Sequence, residues 1–216
     1  MKSAWFRGRD GRERLWLEDA DIETMMADEL HRARLFPAAD NPVVDVERFI
    51  EGHLGARLDQ YAQLDSAVLG QTEFFPGRPP HVLINRDLTG AAMDDDDGAS
   101  SVLGRWRATL AHEASHIVMH RILFELNQDA EDLFAVGAPQ SQRLMRCLKT
   151  NVLFRGGGTD WREAQANRGM AALLMPKTIF SAVAEGAIRS LGFSRGDLVS
   201  GTRRSEERRV GKECRL

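Results

Sequence analysis

The sequence has little of several things, and each shortage removes a class of protein. Two cysteines in 216 residues, Cys147 and Cys214, are too few for a disulfide framework. No apolar run approaches the roughly 18 residues that span a bilayer. The N-terminal stretch MKSAWFRGRDGRERLW is charged throughout and lacks the apolar segment of a signal peptide. There is no internal repeat, and the only low-complexity stretch is the aspartate run at 94–97. The formal net charge is −3, so neither nucleic acid nor a membrane surface is expected as a direct partner. What is present is ordinary for a folded chain: 43% hydrophobic and 28% charged residues, enough for a core in one domain, with or without a small appendage. A cytoplasmic protein is the expectation.

The last thirteen residues stand apart. The stretch 204–216, RSEERRVGKECRL, has no apolar periodicity, and RSEERRVGKECR resembles the translation of a sequencing-library adapter. It is read as adapter-derived rather than native and is set aside from fold reasoning. Without its five basic and three acidic residues the net charge is −5, and Cys147 is the only cysteine.

Along the rest of the chain, residues 21–35 carry Ile22, Met25, Met26, Leu30 and Leu35 at mostly helical spacing, with Pro37 beyond their end. Residues 1–39 are therefore expected to form an N-terminal helical extension, and 40–203 the main domain. Asn41-Pro42 marks a turn. Asp45 reads as the N-cap of a short helix with Val46, Phe49, Ile50 and Leu54 inward and Gly55 as its stop. Three stretches with strand character follow, at 56–64, 67–75 and 81–86, the last two punctuated by Pro76-Gly77 and Pro79-Pro80. They predict a small, largely antiparallel sheet. A polar loop at 93–101 leads into helical sequence through Leu126, and helical sequence returns at 161–175. Strands followed by helices predict an α+β domain.

The chemistry sits at His112-Glu113-Ala114-Ser115-His116, an HExxH motif. Leu103, Trp106, Leu110, Ala114, Ile117 and Arg121 fall at steps of three or four, which predicts a helix over 103–123. On that helix the two histidines lie one turn apart, about 40° out of register, and can reach one zinc ion at ~2.0–2.1 Å. Glu113 is rotated ~100° from His112, beside the metal rather than on it. There it is placed to take a proton from water and pass it to a leaving amine. Random placement of the chain's residues gives about 0.01 occurrences of this motif.

A catalytic zinc site wants a third protein ligand. His120 is too far along the helix: His112 and His120 are separated by ~12 Å of rise. It is read instead as a residue that supports a ligand or fills the core. The metzincin pattern would need glycine and histidine where the chain has Met119 and Ile122. The second helical segment puts Glu163 and Asn167 on one face and ends at Pro176, while Ala166, Gly169, Ala171 and Ala172 would permit close approach to the HExxH helix. Glu163 is the best candidate for third ligand, with Asn167 orienting it or a histidine. The competing reading is a solvated first-turn glutamate paired with the helix dipole. Asp160 is a fallback ligand.

RWRATLAHEASHIVMH, at 105–120, followed by EAQANRGMAALLMP, at 163–176, resembles the ImmA/IrrE family of metallopeptidases. The resemblance extends back over 42–87, where the segment HVLINRD fits, and covers roughly 40–180. It implies a zincin-like fold, one zinc held by His112, His116 and Glu163, and Glu113 as catalytic base. Characterised members cleave helix-turn-helix repressors, so such a repressor is the expected partner and substrate. The alternative is a protein that keeps the fold and acts by docking on a regulatory or toxin partner without cleaving it; a zinc hydrolase of non-peptide substrates also matches the motif. The chain departs from the family in two places. Gly169 stands where a bulky aromatic is usual, which is expected to loosen packing around Glu163. The 47-residue gap from His116 to Glu163 is long and contains Gly156-Gly157-Gly158; a surface loop is expected there in preference to a recognition lid.

Other residues rank lower. The aspartates at 94–97 lack the spaced ligands of a calcium loop and read as a solvated stretch. Cys147 reads as a small core residue. Tyr61, His53, His81 and Arg105 are each candidates to stabilise an oxyanion, with no signal that chooses among them. His31 is assigned no function.

Overall fold

A computed structural model describes residues 4–7, 13–75, 77–94, 101–126, 143–148 and 161–192. It is an α+β fold. The elements in order are β1 (Ala4–Arg7), β2 (Glu13–Trp16), α1 (Asp19–Ala33), α2 (Val46–Arg48, running into a π-helical turn Phe49–His53), β3 (Arg57–Ala62), β4 (Val68–Phe74), β5 (His81–Asn85), α3 (Arg86–Met93), α4 (Ser101–Leu126), β6 (Arg143–Leu148), α5 (Trp161–Leu174) and α6 (Lys177–Ser190). The chain divides into two compact units, one of Met1–Phe36 with Val43–Pro176 and a second that contains 37–42 and α6.

In the first unit, Ile22, Met26 and Leu30 recur every fourth residue along α1 and are all buried. The helix closes on Arg34 in the left-handed region (φ 57°), whose N–H bonds back to Leu30 and His31, and His31 stacks on Phe36. Asp45 caps α2 as expected, its carboxylate accepting from Arg48 N–H at 3.0 Å. Val46, Phe49 and Ile50 point inward, and Gly55 ends the turn at φ 63°. The expected N-terminal extension differs from what is found. Residues 1–39 carry the antiparallel pair β1–β2 as well as a helix, and α1 packs against α5 as part of the main core. A helix with so apolar a face cannot stand off from a domain without exposing it.

The three expected strands form with bounds shifted by a residue or two. The sheet is mixed rather than largely antiparallel: β5 pairs antiparallel with β4 but parallel with β3. The cause is topological. The chain reverses direction between β3 and β4 and again between β4 and β5, so β3, joining β5 on its free edge, runs the same way. β6 adds a fourth strand on the other side of β4, giving the order β3-β5-β4-β6. It comes from the long gap, where a loop was expected. Residues 86–93, where no helix was expected, form α3, capped by Asn85, whose side chain accepts from Asp87 N–H and donates to the carbonyls of Asp65 and Val68. Of the aspartate run, Asp94 ends α3 and 95–97 lie outside the described residues.

Of the predicted stripe of α4, Trp106, Leu110, Ala114 and Ile117 are buried, Leu103 is half-buried and Arg121 is exposed. The helix is not amphipathic in its middle, however. Every residue from Thr109 to Ile117 is buried, because β4 lies along one side and α5 along another. Two glycines make this possible. A Cβ on Gly169 of α5 would lie 2.8 Å from Ser115 Cβ and 2.9 Å from Met26 Cε. A Cβ on Gly70 of β4 would lie 2.7 Å from Thr109 Cγ2 and 2.8 Å from Glu113 Oε1. Gly169 therefore tightens the packing that it was expected to loosen: a bulky residue has no room there. The second unit contributes α6, which buries no residue; Phe180 and Val183 are exposed on it. It too was not foreseen. Among the described residues no single helix is long and apolar enough to cross a membrane.

Gly169→Val is expected to destabilise the fold by about 1–3 kcal/mol in urea unfolding, since Ser115 Cβ is backbone-anchored and cannot give way. Gly104→Ala, on α4 where the added methyl meets nothing within 4 Å, should be neutral or stabilising by up to ~1 kcal/mol.

Candidate metal centre

α4 and α5 face each other across small residues, with Ala166 and Gly169 both buried, and this brings side chains 51 positions apart into one group. His112 Nε2 lies 3.2 Å from Glu163 Oε2, His116 Nε2 lies 3.3 Å from Glu163 Oε1, and the two Nε2 atoms lie 3.1 Å apart. Glu163, at the first turn of α5, is 7% exposed, and the histidines are fully buried. It is not a solvated glutamate. The three residues each present one ligand atom within 4.8 Å of the others.

The surrounding hydrogen bonds set the tautomers. His112 Nδ1–H donates to Asn167 Oδ1 at 3.0 Å, leaving Nε2 as a lone pair directed at the group. His116 is set through a chain of two residues. Gln165 Oε1 accepts from His120 Nε2–H at 3.1 Å, so His120 Nδ1 is an acceptor. His116 Nδ1–H donates to it at 3.0 Å, which turns the second Nε2 lone pair inward as well. Two imidazole lone pairs and two carboxylate oxygens therefore converge in a buried space. Neutral donors cannot satisfy them all, and a cation between them can. His112, His116 and Glu163 form a buried group that could hold a metal ion.

The same field acts on protons. Burial would lower the pKa of His112, but the hydrogen bond to Glu163 and the charges of Glu113 and Glu163 outweigh it and raise the pKa. Burial lowers that of His116, helped by the neighbouring His112 and Arg162. His120 is pushed down to about 3, first by burial and then by His116. Burial works to raise the pKa of Glu163, yet the pull of His112 and His116, whose Nε2 atoms donate to it once protonated, prevails and holds the carboxyl far below its ordinary range. Glu163 is thus ionised and His120 neutral at pH 7, which is what the two roles need.

Glu113 is turned about 100° from His112 around α4, toward β4. It is fully buried, and Thr72 Oγ1–H of β4 donates to its Oε2 at 2.6 Å. Gly70, two residues earlier on the same strand, leaves the space its carboxylate fills. Sequence reasoning did not find Thr72, Gly70 or Gln165. None of the three carries a local signal: Gln165, two positions from Glu163, does not share its face of the helix, and Thr72 and Gly70 lie on a strand far from the motif in sequence.

The four oxyanion candidates lie elsewhere. His53 Nε2 pairs with Glu29 of α1 at 2.7 Å, and His81 sits edge-on to Phe75. Tyr61 is exposed on β3, and Arg105 is exposed two turns before His112. Among the described residues none of the four is a partner of His112, Glu113, His116 or Glu163. Asp160, Gly156-Gly157-Gly158 and 204–216 lie outside the described residues; Cys147 is described only as a backbone position in β6.

Gln165→Leu and Asn167→Leu should each weaken metal affinity about 10–100-fold in chelator competition. Gln165→Glu, which can only accept from His120, should retain it; loss in Glu with retention in Leu would mean that residue 165 matters for packing alone. Unfolded histidines titrate near 6.5, whereas His116 and His120 resist protonation in the fold. The unfolded chain therefore takes up protons first, and stability of the metal-free protein should fall as pH drops from about 6.5 toward 3. The limiting slope is about 1.4 kcal/mol per pH unit for each histidine, and urea unfolding of His120→Phe should show one proton fewer. Comparisons with protein-family profiles, with curated proteins and with solved structures give no match for this chain.

Proposed function

We propose that this protein is a cytoplasmic zinc endopeptidase of the ImmA/IrrE type, on a zincin-like domain, acting on a helix-turn-helix repressor. One observation carries the reading: an HExxH helix and a glutamate from a second helix bring three ligand atoms within 4.8 Å, with a further buried carboxylate one residue along. The His/His/Glu donor set suits zinc, which when bound polarises a carbonyl and lowers the pKa of water. Manganese or iron would also accept these donors.

The chain's own residues do the rest. Asn167 and the His120–Gln165 pair hold both imidazoles in the tautomer that presents Nε2. Glu163 supplies the negative charge. Glu113 is the base: it takes the proton of the attacking water and delivers it to the amine as the peptide bond breaks, with Thr72 orienting its carboxylate. The repressor as substrate rests on the family resemblance alone.

A second reading, a docking protein that keeps the fold without cleaving, draws on the complete burial of Glu113 and both histidines. Metal analysis and cleavage separate the two. About one zinc per chain is expected, lost or weakened in Glu163→Ala. Glu113→Gln should keep the metal and lose about 10²–10⁴-fold in cleavage of candidate helix-turn-helix repressors. Full activity in Glu113→Gln would end the mechanism, and failure of the wild type to take up zinc would end the peptidase reading in favour of docking.

A further inference from the structure

The reactive groups are closed off. His112, Glu113 and His116 are 0% exposed and Glu163 is 7% exposed, so a polypeptide cannot reach them in this arrangement. Which element closes them can be narrowed by asking where a peptide backbone could lie. An extended chain is held by pairing with a strand edge, and the strand nearest the site is β4, since Gly70 abuts Glu113 and Thr72 bonds to it. One edge of β4 is taken by β5. The other is taken by β6, the chain's own segment from between the two ligand helices.

The register places β6 at the position that matters. Gly70 stands opposite Cys147 and Thr72 opposite Met145, so the middle of β6 lies along the two β4 residues that touch Glu113. β6 also approaches α4 directly. It is a strand of six residues, paired among the described residues with β4 alone. Strands so held open at lower cost than the core. α4 and α5 pack on each other directly, and none of His112, His116 and Glu163 comes from β6.

We propose that β6 is an internal strap: it occupies the strand position beside β4 that an extended polypeptide must take to reach the metal group and Glu113, and the site opens when β6 leaves. Once vacated, the edge of β4 presents a row of backbone N–H and C=O groups, which selects an extended, unfolded segment of a protein and not a small molecule. The proposal rests on the peptidase reading for what enters, but not for what closes the site.

A reversible lock tests it in the full-length, zinc-loaded chain. Glu73 and Leu144 are directly opposed, and such pairs have Cα atoms about 4.5–5.5 Å apart, within disulfide range. Glu73→Cys with Leu144→Cys, made with Cys147→Ser and Cys214→Ser, gives a cross-link that forms on oxidation and opens with a phosphine reductant. Two rates are measured: zinc loss to a chromogenic chelator, and cleavage of fluorescently labelled casein. The oxidised form should be slower in both by about ten-fold or more, the factor set by how rarely the strap is out. Met145→Pro and Arg146→Pro, one of which removes a ladder N–H, should raise both rates. Equal rates in oxidised and reduced protein, with the disulfide verified by mass, would overturn the strap. A chelation rate that responds to the lock while no variant cleaves casein would leave the strap standing and overturn the claim that the vacated edge admits any unfolded polypeptide; the peptidase reading falls if the zinc-loaded wild type also leaves candidate helix-turn-helix repressors uncut.

Discussion

Two imidazole nitrogens and a carboxylate held within hydrogen-bonding distance of one another, in the buried seam between two helices, set the terms for the rest of this structure. Such a group is costly to bury unless every partner is oriented and the excess negative character is compensated. The orientation comes from neutral residues, Asn167, His120 and Gln165, whose hydrogen bonds are directional but bring no charge of their own. The compensation comes from a cation or from protons. Burial acts on both histidines, but Glu163 and Glu113 outweigh it at His112, which is raised, and it prevails at His116, which is lowered.

The seam exists because side chains are missing where bulk would be expected. Gly169 lets α5 settle against Ser115 and Met26, and Gly70 lets β4 settle against Glu113. Both are places where even a methyl group collides. α4 can then be buried all round while carrying two histidines and a glutamate through its middle turns. Its polar residues are accommodated side by side, His112 and His116 toward α5 and Glu113 toward Thr72. A carboxylate beside the histidine pair rather than within it is a consequence of the 100° step between adjacent residues.

Much of this was legible in the sequence. The periodicity of α1 and α4, the capping of α2 by Asp45 and the strand character of β3, β4 and β5 are local signals, and they led to the elements that formed. The histidine pair announced itself by spacing, and Glu163 by sharing a face with Asn167. What was not legible depends on pairing across the chain. β6 has no strong strand signal of its own and is a strand because β4 has an edge to offer. Gly169 looked like a loss of packing because a missing side chain in the sequence does not say which neighbour fills the space. His120 was correctly denied a ligand's place by the rise of the helix, but its partner Gln165 became visible only when α5 lay alongside. The parallel pairing of β3 with β5 likewise follows from two successive reversals, which no residue encodes.

The distance along the chain between His112 and Glu163 has a consequence for how the molecule is made. A bound ion would tie together positions 51 residues apart, so it acts as a cross-link that closes a long loop and removes conformations from the unfolded chain. During synthesis the histidine helix emerges first, and no complete ligand set exists until α5 follows. Metal acquisition would therefore be a late folding event, and the resistance of the protein to unfolding would become a function of free metal concentration.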